Sequence, residues 1–409
     1  MNKKKIFNDP VYGFINITDG LIFDLIEHPY FQRLRRIKQL GLNDYVYPGA
    51  LHTRFHHAIG AMHLMKVALQ NLRDKDISIS DEEFEAATTA ILLHDIGHGP
   101  FSHSLENSLL TDSDHEKISR IIIEHINSDM GGKLDMVLDI FNGTYHRQFL
   151  NQLVSSQLDI DRLDYLSRDS FFTGVSEGTI GSERIIKMLT VCDDELVIEE
   201  KGIYSIENFL IARRLMYWQV YLHKTAVSAE KMLHNLIERA KELISKGQDL
   251  PCPLSLRIFL EKEISLEMLE NDAAILEAYC KLDDSDIWSC IKSWSETEHP
   301  VLSDLSQRLL ERRLFRVQIL SEPPEDHLLE ELSARITDKL GIDENAVNYY
   351  YSTGEISNAA YIDSSSKIKI LSKSGKVRDI REASDLPNIK AISKIVKKYY
   401  LCWPKAVSL

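Results

Sequence analysis

Histidine and aspartate are concentrated in four short segments whose surroundings are helical and apolar: RFHHAIG at 54–60, LLHDIGHGPFSH at 92–103, DHE at 114–116 and QLDIDRLDYLSRD at 157–169. At helical spacing His57 shares a face with Ala61, Leu64 and Ala68 and so points toward the core, whereas His56 shares its face with Gly60 and His63. His94-Asp95 closes an apolar run, and Asp161 lies on a face with Leu158 and Tyr165. A buried carboxylate keeps its charge only when it is paired or bound to metal, because desolvating it is expensive. Two imidazoles (His57, His94) and two carboxylates (Asp95, Asp161) around one divalent ion solve that problem, and they leave coordination sites for water and a phosphate oxygen. This donor set suits Mn, Fe, Ni, Zn or Mg. A lone His or a lone His-Asp pair carries little weight. The ordered set, with GHGPFSH following the His-Asp pair, carries a good deal.

The elements that must position these groups are helices. Residues 54–72 place Phe55, Ile59, Met62 and Leu69 at a helical rhythm. Asp81-Glu-Glu opens another helix, with acids in its first turn and Phe84, Ala87 and Ile91 on one side, running to His94-Asp95 and stopping near Gly97. Further helices are expected over 113–128 and 147–168, and one long helix or two over 205–246. GQDLPCP at 247–253 reads as a linker. Beyond it, 255–316 remains helical. From 317 to 372, β-favouring runs (Phe315 to Leu320, Ala346 to Tyr351, Lys367 to Leu371) alternate with a helical stretch at 325–340, and 387–401 is expected to be helical again. The expected fold is therefore mainly α: a helical core over 1–246 followed by a smaller α+β C-terminal lobe over 254–409.

With 409 residues, 44% of them apolar, the chain can bury a substantial core. Its net charge of −14 argues against a general nucleic-acid-binding surface. The cysteines (Cys192, Cys252, Cys280, Cys290, Cys402) are scattered with no C-x-x-C pair, so neither a disulfide framework nor a thiolate zinc site is indicated, and a reducing cytoplasm fits. MNKKKIFNDP is basic with no apolar run behind it, unlike a secretory signal, and no stretch is long and apolar enough to span a membrane.

RFHHAIG, HDIGHGPFSH and DIDRLDYLSRD resemble the motif blocks of the HD-domain deoxynucleoside triphosphate triphosphohydrolases, a family that includes bacterial enzymes and the mammalian dNTPase with a sterile-alpha-motif domain. NDPVYGFI, FQRLRRIKQLG, YVYPGALHTRF, RRLMYWQVYLHKTA and RRLFR are similar to further blocks, so the resemblance covers most of 5–320. It implies a largely helical fold and hydrolysis of a dNTP, bound with Mg, to deoxynucleoside and inorganic triphosphate, with water attacking the α-phosphorus. The family's metal ligands fall on His57, His94, Asp95 and Asp161. Its catalytic histidines fall on His98 and His115, with an acidic orienting partner on Glu106; from the residues alone, Glu106 or Glu116 serves that role. His115 is assigned as general acid and His98 as a phosphate contact, since the leaving oxygen gains charge that an imidazolium can protonate or stabilise. Arg54, Arg162 and Lys224 would supply charge for the triphosphate. Gln39, Leu40, Tyr165, Asp169 and Tyr221 match positions that contact the sugar. An activating nucleotide at an oligomer interface would be contacted by Lys5, Glu27 and Arg35. The family also implies a homo-oligomer, a dimer or tetramer.

Two other functions compete with this one. Another HD-type phosphohydrolase, acting on a nucleoside monophosphate, a cyclic dinucleotide or an alarmone, would share the metal ligands. The cyclic-dinucleotide type carries a GYP tripeptide that this chain lacks, and the monophosphatase type is not expected to keep GHGPFSH or DYLSRD. A silent nucleotide sensor would keep the fold without turnover, and the intact ligand positions argue against it.

Overall fold

The computed structural model describes residues 4–111, 114–358, 361, 367–386 and 396–408. The fold is mainly α, with a smaller sheet-containing C-terminal region. Three helices position the candidate metal ligands: His57 and Asp161 lie within two of them, and His94-Asp95 directly follows the end of the other. Arg54–Arg73 packs against both Asp81–Leu93 and Ile160–Thr173. Two of them start where local chemistry sets them. Ser80 and Glu83 form a reciprocal capping box, the Ser80 hydroxyl accepting from Glu83 N at 3.1 Å and the Glu83 carboxylate from Ser80 N at 2.8 Å. Asp159 accepts from Arg162 N at 2.8 Å and so starts the third helix, which ends at Gly174 in the left-handed region.

The expected single helix at 147–168 is two, Gln148–Val154 and Ile160–Thr173, because Asp159 takes the backbone N–H of Ser156 at 2.7 Å and turns the chain before capping the second helix. The 205–246 region is also two helices, Ile203–Met216 and Lys224–Ser245, joined through a π-helical turn at Tyr217–Tyr221.

Among the described residues, nine strands form three sheets. An N-terminal hairpin pairs β1 (Lys5–Asp9) with β2 (Gly13–Ile17). β3 (Leu189–Cys192) and β4 (Glu195–Glu199) form a second hairpin. β5 (Arg316–Leu320) and β6 (Ser352–Asn358) flank β9 (Val396–Trp403), antiparallel on both sides. β7 (Lys369–Leu371) pairs in parallel with β4 and antiparallel with β8 (Val377–Asp379), so main-chain hydrogen bonds stitch the C-terminal stretch onto residues before the 247–253 connection. One continuous apolar core runs from Ile15 to Val407.

Two local expectations are corrected. Residues 346–351, expected as a strand, lie largely in the 3₁₀ turn Glu344–Tyr349, which Asp343 caps by accepting Asn345 N at 2.8 Å; β6 begins only at Ser352. Residues 396–401, expected as helix, belong to β9, where VKKYYLCW has the β-branched and aromatic content that favours a central strand. The rest of that expected helix, 387–395, lies outside the described residues. Among the described residues no helix is long and apolar enough to cross a membrane.

Candidate metal centre and active site

The four candidate ligands converge. His57 Nε2 lies 3.1 Å from Asp161 Oδ1, 3.3 Å from His94 Nε2 and 3.7 Å from Asp95 Oδ2. His94 Nε2 lies 3.4 Å from Asp161 Oδ1 and 3.3 Å from Asp95 Oδ1. The far nitrogen of each ring is already used: His94 Nδ1 sits 2.6 Å from the Ile91 carbonyl and His57 Nδ1 sits 2.7 Å from Asp164 Oδ2. A carbonyl only accepts, so Nδ1 of His94 carries a proton, and the neutral ring turns an Nε2 lone pair inward; the Asp164 carboxylate imposes the same tautomer on His57. Two lone pairs 3.3 Å apart facing two carboxylates demand positive charge between them. Burial disfavours every charge here, yet opposite charges outweigh it: His57 and His94 are raised above the ordinary imidazole range, and Asp95 and Asp161 are held below the carboxylate range. This donor set, with each histidine anchored through its second nitrogen, fits a divalent ion.

The loop after Asp95 is held from several sides. Gly97 has no room for a side chain, since a Cβ would come within 2.3 Å of Ser119 N on the helix His115–Asp129. Ser119 instead uses its hydroxyl, accepting from Gly97 N at 2.9 Å and donating to His94 O at 2.6 Å. Phe101 and Ser102 both take positive φ, 51° and 38°, an uncommon conformation for these residues. Distant partners sustain it. Buried Asp284 accepts Phe101 N at 2.8 Å and Lys38 N at 2.9 Å, Tyr279 OH donates to Gly97 O at 2.8 Å, and Arg33 donates to Ile96 O at 2.6 Å.

His98 and His115 meet beside the metal cluster. Their rings stack, and His98 Nε2 lies 3.3 Å from Asp95 Oδ1. His115 is the first residue of its helix; Glu106 Oε1 accepts its backbone N–H at 2.5 Å and lies 3.3 Å from its Nδ1. Of the two carboxylates considered, Glu106 is the one at this imidazole, while Glu116 has its backbone N–H taken by Asp114 at 2.9 Å.

The expected phosphate and sugar contacts are placed as follows. Arg54 is buried and committed, donating to Asp95 Oδ2 at 2.5 Å and to the Ser102 hydroxyl at 2.8 Å, so it braces a candidate ligand. Arg162 donates to Ser156 O at 2.8 Å and reaches Tyr165 OH at 3.4 Å. Lys224 is exposed at the start of its helix. Gln39 and Leu40 are half-buried, and Gln39 Oε1 is a buried acceptor with no partner in the protein. Tyr165 lies between His57 and Tyr221, with ring centroids 6.5 and 6.2 Å away. Asp169 is buried, taking Tyr221 OH at 2.8 Å and His52 Nε2 at 2.8 Å. Lys5 pairs with Glu27 at 2.5 Å, and the Arg35 guanidinium, which donates to Gln32 at 2.9 Å, lies 3.6 Å from the Phe55 ring centroid.

Sequence reasoning missed Asp164, Arg168, Asp9, His52 and Asp284. The first two had a signal, an acid and an Arg one helical turn apart within DIDRLDYLSRD. The others act across the fold and had none.

This is the fold and donor set of a metal-dependent hydrolase. Residues 54–169 match the model of the HD domain and 180–250 that of the HD associated region. A phosphohydrolase from Bacteroides thetaiotaomicron of known crystal structure is 52% identical, with a TM-score of 0.95, over 98% of this chain and 100% of that one. YwfO of Bacillus subtilis is 33% identical over 99% of this chain and 93% of that protein. Human deoxynucleoside triphosphate triphosphohydrolase SAMHD1 is 29% identical over 59% of this chain and 45% of that protein. The chain belongs to the HD-domain phosphohydrolase family.

Proposed function

We propose that the protein hydrolyses deoxynucleoside triphosphates to deoxynucleoside and inorganic triphosphate. The observation that carries this reading is the stacked His98–His115 pair, with Glu106 on His115, set against the His57, His94, Asp95 and Asp161 cluster. The similarity to SAMHD1 supports it. His57, His94, Asp95 and Asp161 would hold a divalent ion, which when bound would supply Lewis-acid charge at the phosphoryl group. The chain's own groups do the rest. Water adds to the α-phosphorus as the bond from phosphorus to the sugar 5′ oxygen breaks; the His115 imidazolium gives its proton to that leaving oxygen, and the proton that the water loses passes to solvent. Glu106 keeps the ring oriented. Arg162 and Lys224 meet the triphosphate, which arrives with Mg. Gln39, Leu40, Tyr165, Asp169 and Tyr221 pack the sugar, and the buried Gln39 Oε1 accepts from a sugar hydroxyl. Lys5, Glu27 and Arg35 form a second nucleotide site in a cytoplasmic homo-oligomer.

Product analysis tests the reading. Each dNTP is incubated with the protein and Mg²⁺, Mn²⁺ or Co²⁺, singly and in mixtures, and products are separated by anion exchange. Triphosphate and deoxynucleoside in equal amounts are expected. Orthophosphate or pyrophosphate beside a nucleotide, or no turnover in any mixture, defeats it.

A further inference from the structure

His57 is anchored by more than one carboxylate. Asp164 Oδ2 meets its Nδ1 at 2.7 Å, and the same carboxylate is gripped by a two-pronged guanidinium, with Arg168 Nε and NH2 each 3.0 Å from Asp164 oxygens. The third prong, Arg168 NH1, leaves the HD block altogether and donates at 2.8 Å to Asp9 at the end of β1. Asp9 Oδ1 meanwhile accepts Val11 N at 2.9 Å and Tyr12 N at 3.0 Å, closing the β1–β2 turn, and the Tyr12 ring centroid lies 5.5 Å from the guanidinium carbon. Asp9, Asp164 and Arg168 are all buried.

The relay has a seat. A Cβ built on Gly60, one turn beyond His57, would fall 2.0 Å from Arg168 NH2 and 2.2 Å from Asp164 Oδ1. The glycine of RFHHAIG is therefore where helix 54–73 gives up its side chain so that the ion pair can lie against it. Charge explains why one carboxylate is not enough. A dry Asp164–Arg168 pair alone is neutral, and Asp164 would have little left to offer the His57 ring. Asp9 shares the guanidinium, so the trio carries a net negative charge beside the His57 Nδ1–H, which makes Nε2 a better donor to a cation.

We infer that Asp9 is a positioning residue for the metal centre, acting through Arg168 and Asp164 on His57, so that the N-terminal hairpin is part of the ion's support. The inference rests on the metal-centre reading above. It sets Asp9 apart from a residue that merely forms a turn, because the two roles use different oxygens.

Asp9→Asn separates them: an amide cannot accept from the Val11 and Tyr12 amides and from Arg168 together. In full-length protein, with Mn²⁺ alone as the probe, folded D9N should bind Mn²⁺ about tenfold more weakly than wild type. Coupling is reciprocal, so saturating wild type with Mn²⁺ should slow hydrogen exchange at the Val11 and Tyr12 amides. This second measurement decides the matter if D9N does not fold. Unchanged Mn²⁺ affinity in folded D9N, or unchanged exchange at those amides, overturns the inference. Wild type that binds no Mn²⁺ overturns the metal-centre reading and this inference with it.

Discussion

The imidazole of His98 lies flat against that of His115, with ring centroids 4.1 Å apart and planes inclined by 15°. Two cations cannot share that separation at low cost, and the surroundings assign them different states. Burial, followed by the Arg54 charge, pushes His98 well below the ordinary imidazole pKa despite its contact with Asp95. Burial also works against the His115 cation, but the Glu106 hydrogen bond and the Asp95 charge outweigh it and raise its pKa. One ring is neutral and the other is poised to carry the proton, which is the division that general-acid chemistry needs.

A pH profile follows. A raised pKa keeps His115 protonated to higher pH, so kcat should hold below that pKa and fall as pH rises through it. Glu106→Gln removes the carboxylate that favours the cation, so the falling limb should move to lower pH. His115→Ala should lower kcat by about 10² to 10⁴-fold. A limb that stays in place in E106Q would contradict the assigned roles.

Metal removal should be visible in stability. An ion that binds only the folded state stabilises it by about 2.7 kcal/mol at a hundred times its Kd. Calorimetric Tm should therefore rise with Mn²⁺ and fall with chelator. Asp161→Ala deletes an oxygen lying 3.1 Å and 3.4 Å from the two histidine Nε2 atoms, so Mn²⁺ should no longer shift its Tm.

Asp284 joins two stretches of the site, the His98 loop through Phe101 N and the Gln39 stretch through Lys38 N. Each hydrogen bond to a charged acceptor is worth about 1.5 to 3 kcal/mol. Asp284→Ala should accordingly destabilise the fold by about 3 kcal/mol and, by letting the loop shift, lower kcat by tenfold or more while Mn²⁺ stays bound. Wild-type kcat in this variant would show that the loop holds itself.

Tyr221 donates to Asp169 from the segment joining two helices. Losing one such hydrogen bond costs about 1 kcal/mol. Tyr221→Phe is expected to raise KM for a dNTP about fivefold with a smaller change in kcat, and initial-rate kinetics on the two proteins would decide it.

The candidate ligand set was legible in the sequence because it depends on residue type and on spacing along single helices. His57 facing inward, His94-Asp95 ending an apolar helix and Asp161 opening a turn of another are local facts, set by the helical repeat. One helix announced its start through the acids of Asp81-Glu-Glu, while its Ser80–Glu83 capping box emerged only in the structure. Strand and helix near the C-terminus were misread because short β-favouring runs depend on their neighbours: Ala346–Tyr351 turns where Asp343 caps it, and β9 becomes a strand by pairing on both edges with β5 and β6.

Only packing decided which groups brace the candidate ligands. Arg168 and Asp9 are 159 residues apart, Lys38 and Asp284 are 246 apart, and His52 and Asp169 are 117 apart. No periodicity links such pairs. Each polar group must find a partner once it is carried into a dry core, and which partner it meets is set by where helices cross. The left-handed Phe101–Ser102 turn has the same origin, since neither residue favours that conformation unless distant hydrogen bonds hold it.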